Sequence, residues 1–143
     1  MRRAGHEITE RTELERTALT LSIMPETFAI CHLDDGAAIP RWALRGSFVS
    51  VTRAADELSI VCPLGDVPKG VQCSRGWRCL RVEGPLDLSL TGVLASLTVP
   101  LARARISVFA VSTFDTDYLL VQEKDLKEAL VALSAAGHDV RQE

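Results

Sequence analysis

Residues 77–122, WRCLRVEGPLDLSLTGVLASLTVPLARARISVFAVSTFDTDYLLVQ, contain the pattern that decides the fold. The stretch begins with the alternating run at 77–83, which is typical of a half-buried strand. Gly84 and Pro85 end this strand. Leucine and valine then recur at helical spacing as far as Leu101, with Ser89 or Thr91 as the N-cap. The segment therefore predicts a strand followed by a helix.

The chain after this helix predicts a hairpin, a second helix and a last strand. Residues 106–113 are β-branched and apolar on both faces, which predicts a central strand paired as a hairpin with Asp117–Gln122. A capping box from Asp125 to Glu128 starts the next helix, and Gly137 ends it. Residues 138–140 predict a short strand. The order β-α-β-β-α-β is that of an α+β, ferredoxin-like unit, with an antiparallel sheet and helices on one face.

The first half of the chain repeats this pattern in a weaker form. A shift of 60 residues places Val51 on Val111 and Leu58 on Tyr118. The strand-like run at 27–33 stands where the first helix is expected, and a loop with Gly and Pro at 65–76 stands where the second is expected. The sequence therefore predicts two ferredoxin-like units in tandem, the first degraded, which share one sheet or pack side by side.

Three segments follow from this division. Residues 1–17 form a charged N-terminal arm, residues 18–76 a first, atypical unit, and residues 77–143 a second, complete unit. A chain of 143 residues can bury a sizeable core without a disulfide or a metal.

Composition argues against several classes of partner. The net charge of −3 disfavours a nucleic-acid binder, and residues 106–113 offer only Phe109 for base stacking. No apolar run is long enough to span a membrane. Residues 1–17 lack the apolar centre of a signal peptide, so a cytoplasmic protein is expected.

The cysteines and histidines do not predict an enzyme. Four cysteines lack C-x-x-C spacing, so reduced and mostly buried thiols are expected, with no metal site and no cofactor. Cys31 and His32 are adjacent in a predicted strand, and their side chains therefore point to opposite faces and cannot act as a dyad. The remaining histidines are scattered, and no catalytic residue is predicted.

From about residue 19 to residue 140 the chain resembles small bacterial tandem ACT-domain proteins, and it is similar to the ACT pairs of the cytosolic arginine-sensor type. The stretches that carry the resemblance are MPETFAICHL (24–33), FVSVTRAADELSIVCP (48–63), GWRCLRVEGPLDLSLTGVLASL (76–97) and ISVFAVSTFDTDYLLV (106–121). The resemblance implies a non-catalytic regulatory module that binds a free amino acid where two ACT units meet.

The loop before the first helix is one candidate for the ligand site. A carboxylate favours the backbone N–H groups at a helix N-terminus, which here are those of Thr91, Gly92 and Val93. Gly92 either lets a ligand approach the backbone or lets the helix pack tightly on the sheet.

The hairpin in the same unit supplies the second candidate group. The resemblance implies that the backbone at Thr113 and Phe114 and the carboxylate of Asp117 hold the ligand. Asp115 lies in the same turn, where Asp also occurs because it caps its own backbone. Asp117 opens a strand, where Asp is disfavoured, and this favours a ligand contact. The acidic residues favour a cationic or small polar amino acid.

A third candidate group lies in the first unit. If a pseudo-twofold axis relates the units, the strands at 48–52 and 106–113 face each other, and the backbone of Ser50 and Val51 contacts the ligand. Arg53 and Glu57 are expected to form an exposed pair across the neighbouring turn. A homo-oligomer or a separate protein partner is expected for a regulatory module without a fused enzyme. The alternative is a ligand-free interaction or dimerisation module.

Overall fold

The computed structural model describes residues 18–142, where seven strands form one sheet. In chain order the strands are β1 (Thr20–Leu33), β2 (Ser50–Arg53), β3 (Leu58–Pro63), β4 (Cys73–Val82), β5 (Val108–Ser112), β6 (Asp117–Gln122) and β7 (Asp139–Gln142). The helices are α1 (Val93–Arg103) and α2 (Leu126–Ala135), and short 3-10 turns occur at Arg41–Leu44, Leu64–Asp66 and Glu123–Asp125. The N-terminal arm predicted at 1–17 lies outside the described residues.

The strand order shows how two units share one sheet. The order is β2-β3-β1-β4-β6-β5, with β7 parallel to the first part of β1. One unit has the antiparallel order β4-β1-β3-β2, and the other has the order β1-β4-β6-β5. Two ferredoxin-like units in tandem therefore share β1 and β4. The division between residues 76 and 77 stays a prediction, and β4 runs across it.

The first unit is degraded in the way that the sequence predicts. The 3-10 turns Arg41–Leu44 and Leu64–Asp66 follow β1 and β3, where the second unit has α1 and α2. β1 continues past Pro25 with a register shift between Ile23 and Thr27. The strand-like run at 27–33 is confirmed as the second part of β1.

The predicted repeat register is wrong by one residue in the hairpins. Val61 on β3 and Leu120 on β6 lie in the same core cluster, and they are 59 positions apart. A shift of 60 instead pairs Val61 with Val121, which packs on the opposite face of the sheet. Because side chains alternate along a strand, a slip of one residue exchanges the two faces.

β5 is an edge strand, and the prediction of a central strand at 106–113 is wrong. Phe109 and Val111 pack on one face of the sheet, while Val108 packs on the other. The strand is apolar on both faces because the sheet curls, so that its edges β2 and β5 line one cavity.

The buried apolar residues form three clusters, which lie on different faces and in different parts of the sheet. Leu97 and Leu101 of α1 and Leu133 of α2 cover one face of the second unit, which confirms that its helices pack on one side. A second cluster, with Phe28 and Leu120, fills the inside of the curl between the units. The third cluster lies under the turns of the first unit and contains Cys31, Ile60 and Cys62.

The helix ends agree only in part with the sequence prediction. α2 begins after Asp125, but that side chain forms no capping hydrogen bond. Gly137, with a φ of 94°, follows the end of α2 as predicted. Pro100 lies within α1 one turn before its end.

Candidate functional site

A cleft of about 330 Å³ opens at one end of the second unit. Its sides are the loop after β4, the first turn of α1 and the β5–β6 hairpin. The residues that line it are Leu86, Asp87, Leu88, Leu90, Gly92, Val93, Leu94, Ala95, Ser112, Thr113, Phe114, Asp115, Thr116 and Asp117.

The helix N-terminus on one side of the cleft has no side-chain cap. Gly92 is the N-cap residue, and its φ of 80° suits a residue without a Cβ atom. Ser96 N–H donates to the Gly92 carbonyl (2.9 Å), so the amide groups before Ser96 have no acceptor within the helix. The prediction of Ser89 or Thr91 as the N-cap is wrong. The resulting positive end of the helix dipole favours an anionic group.

The hairpin on the other side is fixed to the rest of the second unit. Thr113 N–H donates to the Thr116 carbonyl (2.8 Å), and the buried Thr116 hydroxyl donates to the Val82 carbonyl at the end of β4 (2.5 Å). Leu86 N–H donates to the Asp115 carbonyl (2.7 Å). These bonds hold the hairpin and the loop on opposite walls of one cleft.

Among residues 18–142, the charged side chains that line the cleft are all acidic: Asp87, Asp115 and Asp117. Asp117 is half-buried, and its carboxylate accepts a hydrogen bond from the Ser112 hydroxyl (2.5 Å). Asp87 accepts from the backbone N–H (2.8 Å) and the hydroxyl (2.7 Å) of Ser89. These hydrogen bonds lower the pKa of Asp87 below its ordinary value. The cleft therefore favours a cation near its carboxylates.

An apolar rim surrounds the cleft and consists of Leu88, Leu90, Leu94 and Phe114. The exposed fraction is 79% for Phe114 and 69% for Leu88. Leu90 and Leu94 lie outside the core, because the buried side of α1 is the stripe through Val93, Leu97 and Leu101. A contiguous exposed apolar patch on a folded domain commonly marks a contact surface.

The predicted site residues do not form one pocket. Six of them line the cleft: Gly92, Val93, Thr113, Phe114, Asp115 and Asp117. Thr91 is exposed and is not part of the lining. Ser50 and Val51 line a second cavity, of about 370 Å³, between β2, β3 and β5. β2 and β5 face each other across this cavity, and Ser112 at the end of β5 lines both the cavity and the cleft.

In the first unit, Arg53 connects the loop after β1 with the β2–β3 hairpin. These elements correspond to the loop and the hairpin that form the cleft in the second unit. From the end of β2 its guanidinium donates to the Asp35 carbonyl (2.6 Å) and the Ala37 carbonyl (2.8 Å). These carbonyls belong to the loop after β1, just as the cleft loop follows β4. The expected pairing of Arg53 with Glu57 is replaced by these contacts with the loop. A guanidinium thus lies between hairpin and loop in the first unit.

Sequence reasoning missed two polar anchors of the second unit, Thr116 and His138. Thr116 is only 3% exposed, and its hydroxyl joins the hairpin to β4. His138 is buried, and its ring accepts from Leu19 N–H (3.1 Å) and lies 2.9 Å from the Ser96 carbonyl of α1. A buried Thr in a turn between two Asp residues gives no sequence signal, because turn positions are ordinarily exposed.

Within residues 18–142, no group of His, Cys, Asp and Glu is arranged to hold a metal ion. In the same part of the chain, neither helix is long and apolar enough to cross a membrane.

A family model of the ACT domain matches residues 72–135, and a model of an N-terminal domain matches residues 26–70. A solved protein from Agrobacterium tumefaciens is 41% identical, covers 88% of this chain and 94% of its own, and has a TM-score of 0.84. The regulatory subunit of aspartate kinase from Thermus thermophilus has the same fold at 11% identity, with a TM-score of 0.60, and the match covers 83% of this chain and 99% of that one.

Curated relatives match over a shorter stretch. The human and bovine proteins named cytosolic arginine sensor for mTORC1 subunit 1 are 38% identical over 58 residues, which is 40% of this chain. This match spans 18% of the length of those relatives.

Proposed function

This chain belongs to the ACT-domain family, and we propose that it is a non-catalytic regulatory protein whose second unit binds a free amino acid. The observation that carries the proposal is the arrangement of opposite charges across one cleft. The uncapped N-terminus of α1 suits the carboxylate of an amino acid. The carboxylates of Asp115 and Asp117 suit its ammonium group or a cationic side chain.

A cationic amino acid fits the cleft better than an acidic one. The described lining contributes acidic side chains, and the end of α1 adds the positive pole of the helix dipole. The first unit supports this choice, because its own Arg53 guanidinium lies between the corresponding loop and hairpin. The curated relatives are named for arginine sensing, so arginine is our first candidate, ahead of small polar amino acids.

A second copy of the chain would complete the site. The apolar rim leaves Phe114 and Leu88 largely in water, and a partner that covers them gains hydrophobic stabilisation. The ligand then lies between ACT units of two chains, and its binding changes how the pair meets a downstream protein. We place the protein in the cytosol, as the name of its curated relatives states for them.

A thermal-shift screen against the free amino acids tests the ligand. At about a hundred times its dissociation constant, a ligand adds roughly 2.7 kcal/mol to the free energy of unfolding, which raises the melting midpoint by roughly 10 °C. We expect a selective rise with arginine or another cationic amino acid. A flat response to every amino acid would overturn the proposal.

Asp117→Asn tests the position of the ligand. The amide oxygen can still accept from Ser112, but the charge is lost, so we expect roughly 10- to 100-fold weaker binding. Asp56→Asn makes the same chemical change at an exposed position in the hairpin of the first unit. The ligand affinity of this control variant should equal that of wild type. Equal losses in both variants would contradict a site at the second hairpin.

The exposed rim also favours a second candidate, a ligand-free dimerisation module. In that case the protein self-associates through the rim but responds to no amino acid. Sedimentation of wild type and Phe114→Ser separates the two candidates. Loss of association in the variant, combined with a flat amino-acid screen, would support the module.

A further inference from the structure

Three cysteine side chains lie together on the outer face of the first unit, away from the cleft. Cys31 is on β1, Cys62 is on β3 and Cys73 is on β4, which are adjacent strands. All three belong to the cluster beneath the turns of this unit. The Cys31 thiol lies close enough to the thiols of Cys62 and Cys73 to interact with both. No part of the cleft chemistry uses them.

The sheet register places Cys31 and Cys73 directly opposite each other. His32 N–H donates to the Gln72 carbonyl (2.9 Å), so the ladder bonds flank this pair instead of joining it. Facing residues at such positions have Cα atoms about 4.5 Å apart, which lies within the range that a disulfide spans. Cys62 lies opposite Ala29, which is two residues before Cys31 on β1.

Exposure distinguishes the three thiols. Cys31 and Cys62 are buried, with exposed fractions of 1% and 0%, whereas Cys73, the first residue of β4, is only partly buried. Burial, followed by the neighbouring thiols, raises the pKa of Cys31 to about 12, and burial also raises the pKa of Cys62. An oxidant from solution therefore meets Cys73 first, because reaction requires access and a thiolate.

We propose that Cys73 and Cys31 are an oxidisable pair that a hydroperoxide converts into a cross-strand disulfide between β1 and β4. The Cys73 thiolate attacks the peroxide, the O–O bond breaks, and the released oxygen takes up the thiol proton as water or alcohol. Cys31 sulfur then attacks the sulfenic acid of Cys73. The S–O bond breaks and its hydroxyl leaves with the Cys31 proton as water. Two thiols lose two electrons, and the peroxide gains them.

The disulfide would join the two strands that both units share. It lies in the unit whose cover consists of turns and loops, so the cross-link stabilises the part of the sheet without helices. It closes a chain segment from residue 31 to residue 73, which restricts the unfolded state.

The test treats the purified full chain with hydrogen peroxide and maps its peptides without reduction. We expect a monomer whose mass falls by two hydrogen atoms, a Cys31–Cys73 link, and a melting midpoint that rises by roughly 10 °C and returns with dithiothreitol. Cys62→Ala should keep the link, and Cys73→Ser should lose it, with circular dichroism confirming that both variants fold. A Cys31–Cys62 link, a disulfide between chains, over-oxidation of Cys73 without a link, or no reaction would each overturn the proposal.

Discussion

The two units share a strand order but differ in what covers the common sheet. In the second unit, α1 and α2 bury a cluster that includes Leu97 and Leu133. In the first unit, the turns Arg41–Leu44 and Leu64–Asp66 lie in the corresponding places. A ferredoxin-like half can lose its helices because β1 and β4 also belong to the neighbouring unit, whose core holds them in place.

The loop and the hairpin at the end of each unit also differ between the two units. In the second unit they leave a cleft between helix end and carboxylates, whereas in the first unit the Arg53 side chain joins them. Under the proposed function, the ligand site lies in the second unit, and the first unit serves as its frame. Four predictions test this contrast, from the largest expected effect to the smallest.

Leu97→Ala removes part of the helical cover of the second unit. Leu97 is fully buried, so the substitution leaves a cavity and should lower the free energy of unfolding by about 3 kcal/mol. Leu44→Ala makes the same change in a turn of the first unit, where the side chain is 58% exposed, and should cost less than about 0.5 kcal/mol. Chemical denaturation measures both values. Equal losses would show that the turns contribute as much as the helices.

His138→Ala removes a link between α1 and the start of β1. The Nδ1 atom accepts from Leu19 N–H, so Nε2 carries the hydrogen donated to the Ser96 carbonyl. Loss of the ring leaves these backbone groups without that partner and should cost about 2 kcal/mol. His32→Ala, at an exposed position, is the control in the same denaturation experiment. A cost near zero for His138→Ala would mean that water replaces the ring.

Arg53→Ala breaks the bridge in the first unit. Both hydrogen bonds are exposed to solvent, so we expect a loss of about 1 kcal/mol or less and faster amide exchange in residues 34–40. Arg45→Ala, at another exposed position, should leave that exchange unchanged. Ligand binding to the second unit should also stay unchanged. If amide exchange at residues 34–40 is unaltered in Arg53→Ala, the Arg53 side chain does not hold the loop of the first unit, and the proposed difference between the two hairpins is contradicted.

The thiol cluster of the first unit should make stability fall at alkaline pH. The pKa of Cys31 is raised from 9.0 to about 12 on folding, so its contribution to stability is complete below pH 9.0 and is lost as the pH rises toward 12. A measurement of the melting midpoint between about pH 8 and about pH 10 detects only the first part of this loss of stability. The melting midpoint of Cys31→Ala should therefore fall slightly less than that of wild type. Parallel curves would contradict the raised pKa.

Much of the fold follows from local pattern. Alternation predicts β4, helical spacing predicts α1, and Gly137 marks the end of α2 because few other residues adopt its backbone conformation. The degraded first unit is predictable for the same reason, since a strand-like run and a Gly- and Pro-bearing loop cannot form amphipathic helices.

The sequence-based predictions are wrong where contacts between residues distant in the chain determine the structure. An apolar run on both faces describes a central strand and an edge strand of a curled sheet equally well, so the position of β5 is not contained in its own sequence. Leu94 and Leu97 both fit a helical apolar pattern, and only the contact with the sheet decides which of them is buried.

For the candidate site, the sequence by itself determined which chemical groups are present: a glycine before a helix and two aspartates in a hairpin. Those features depend on neighbouring residues and on backbone conformation, which local sequence controls. Only the tertiary structure decided that Gly92 and Asp117 face one cleft, while Ser50 and Val51 line another cavity. That separation results from the curl of a sheet with two shared strands, and it depends on pairing between residues that are distant in the chain.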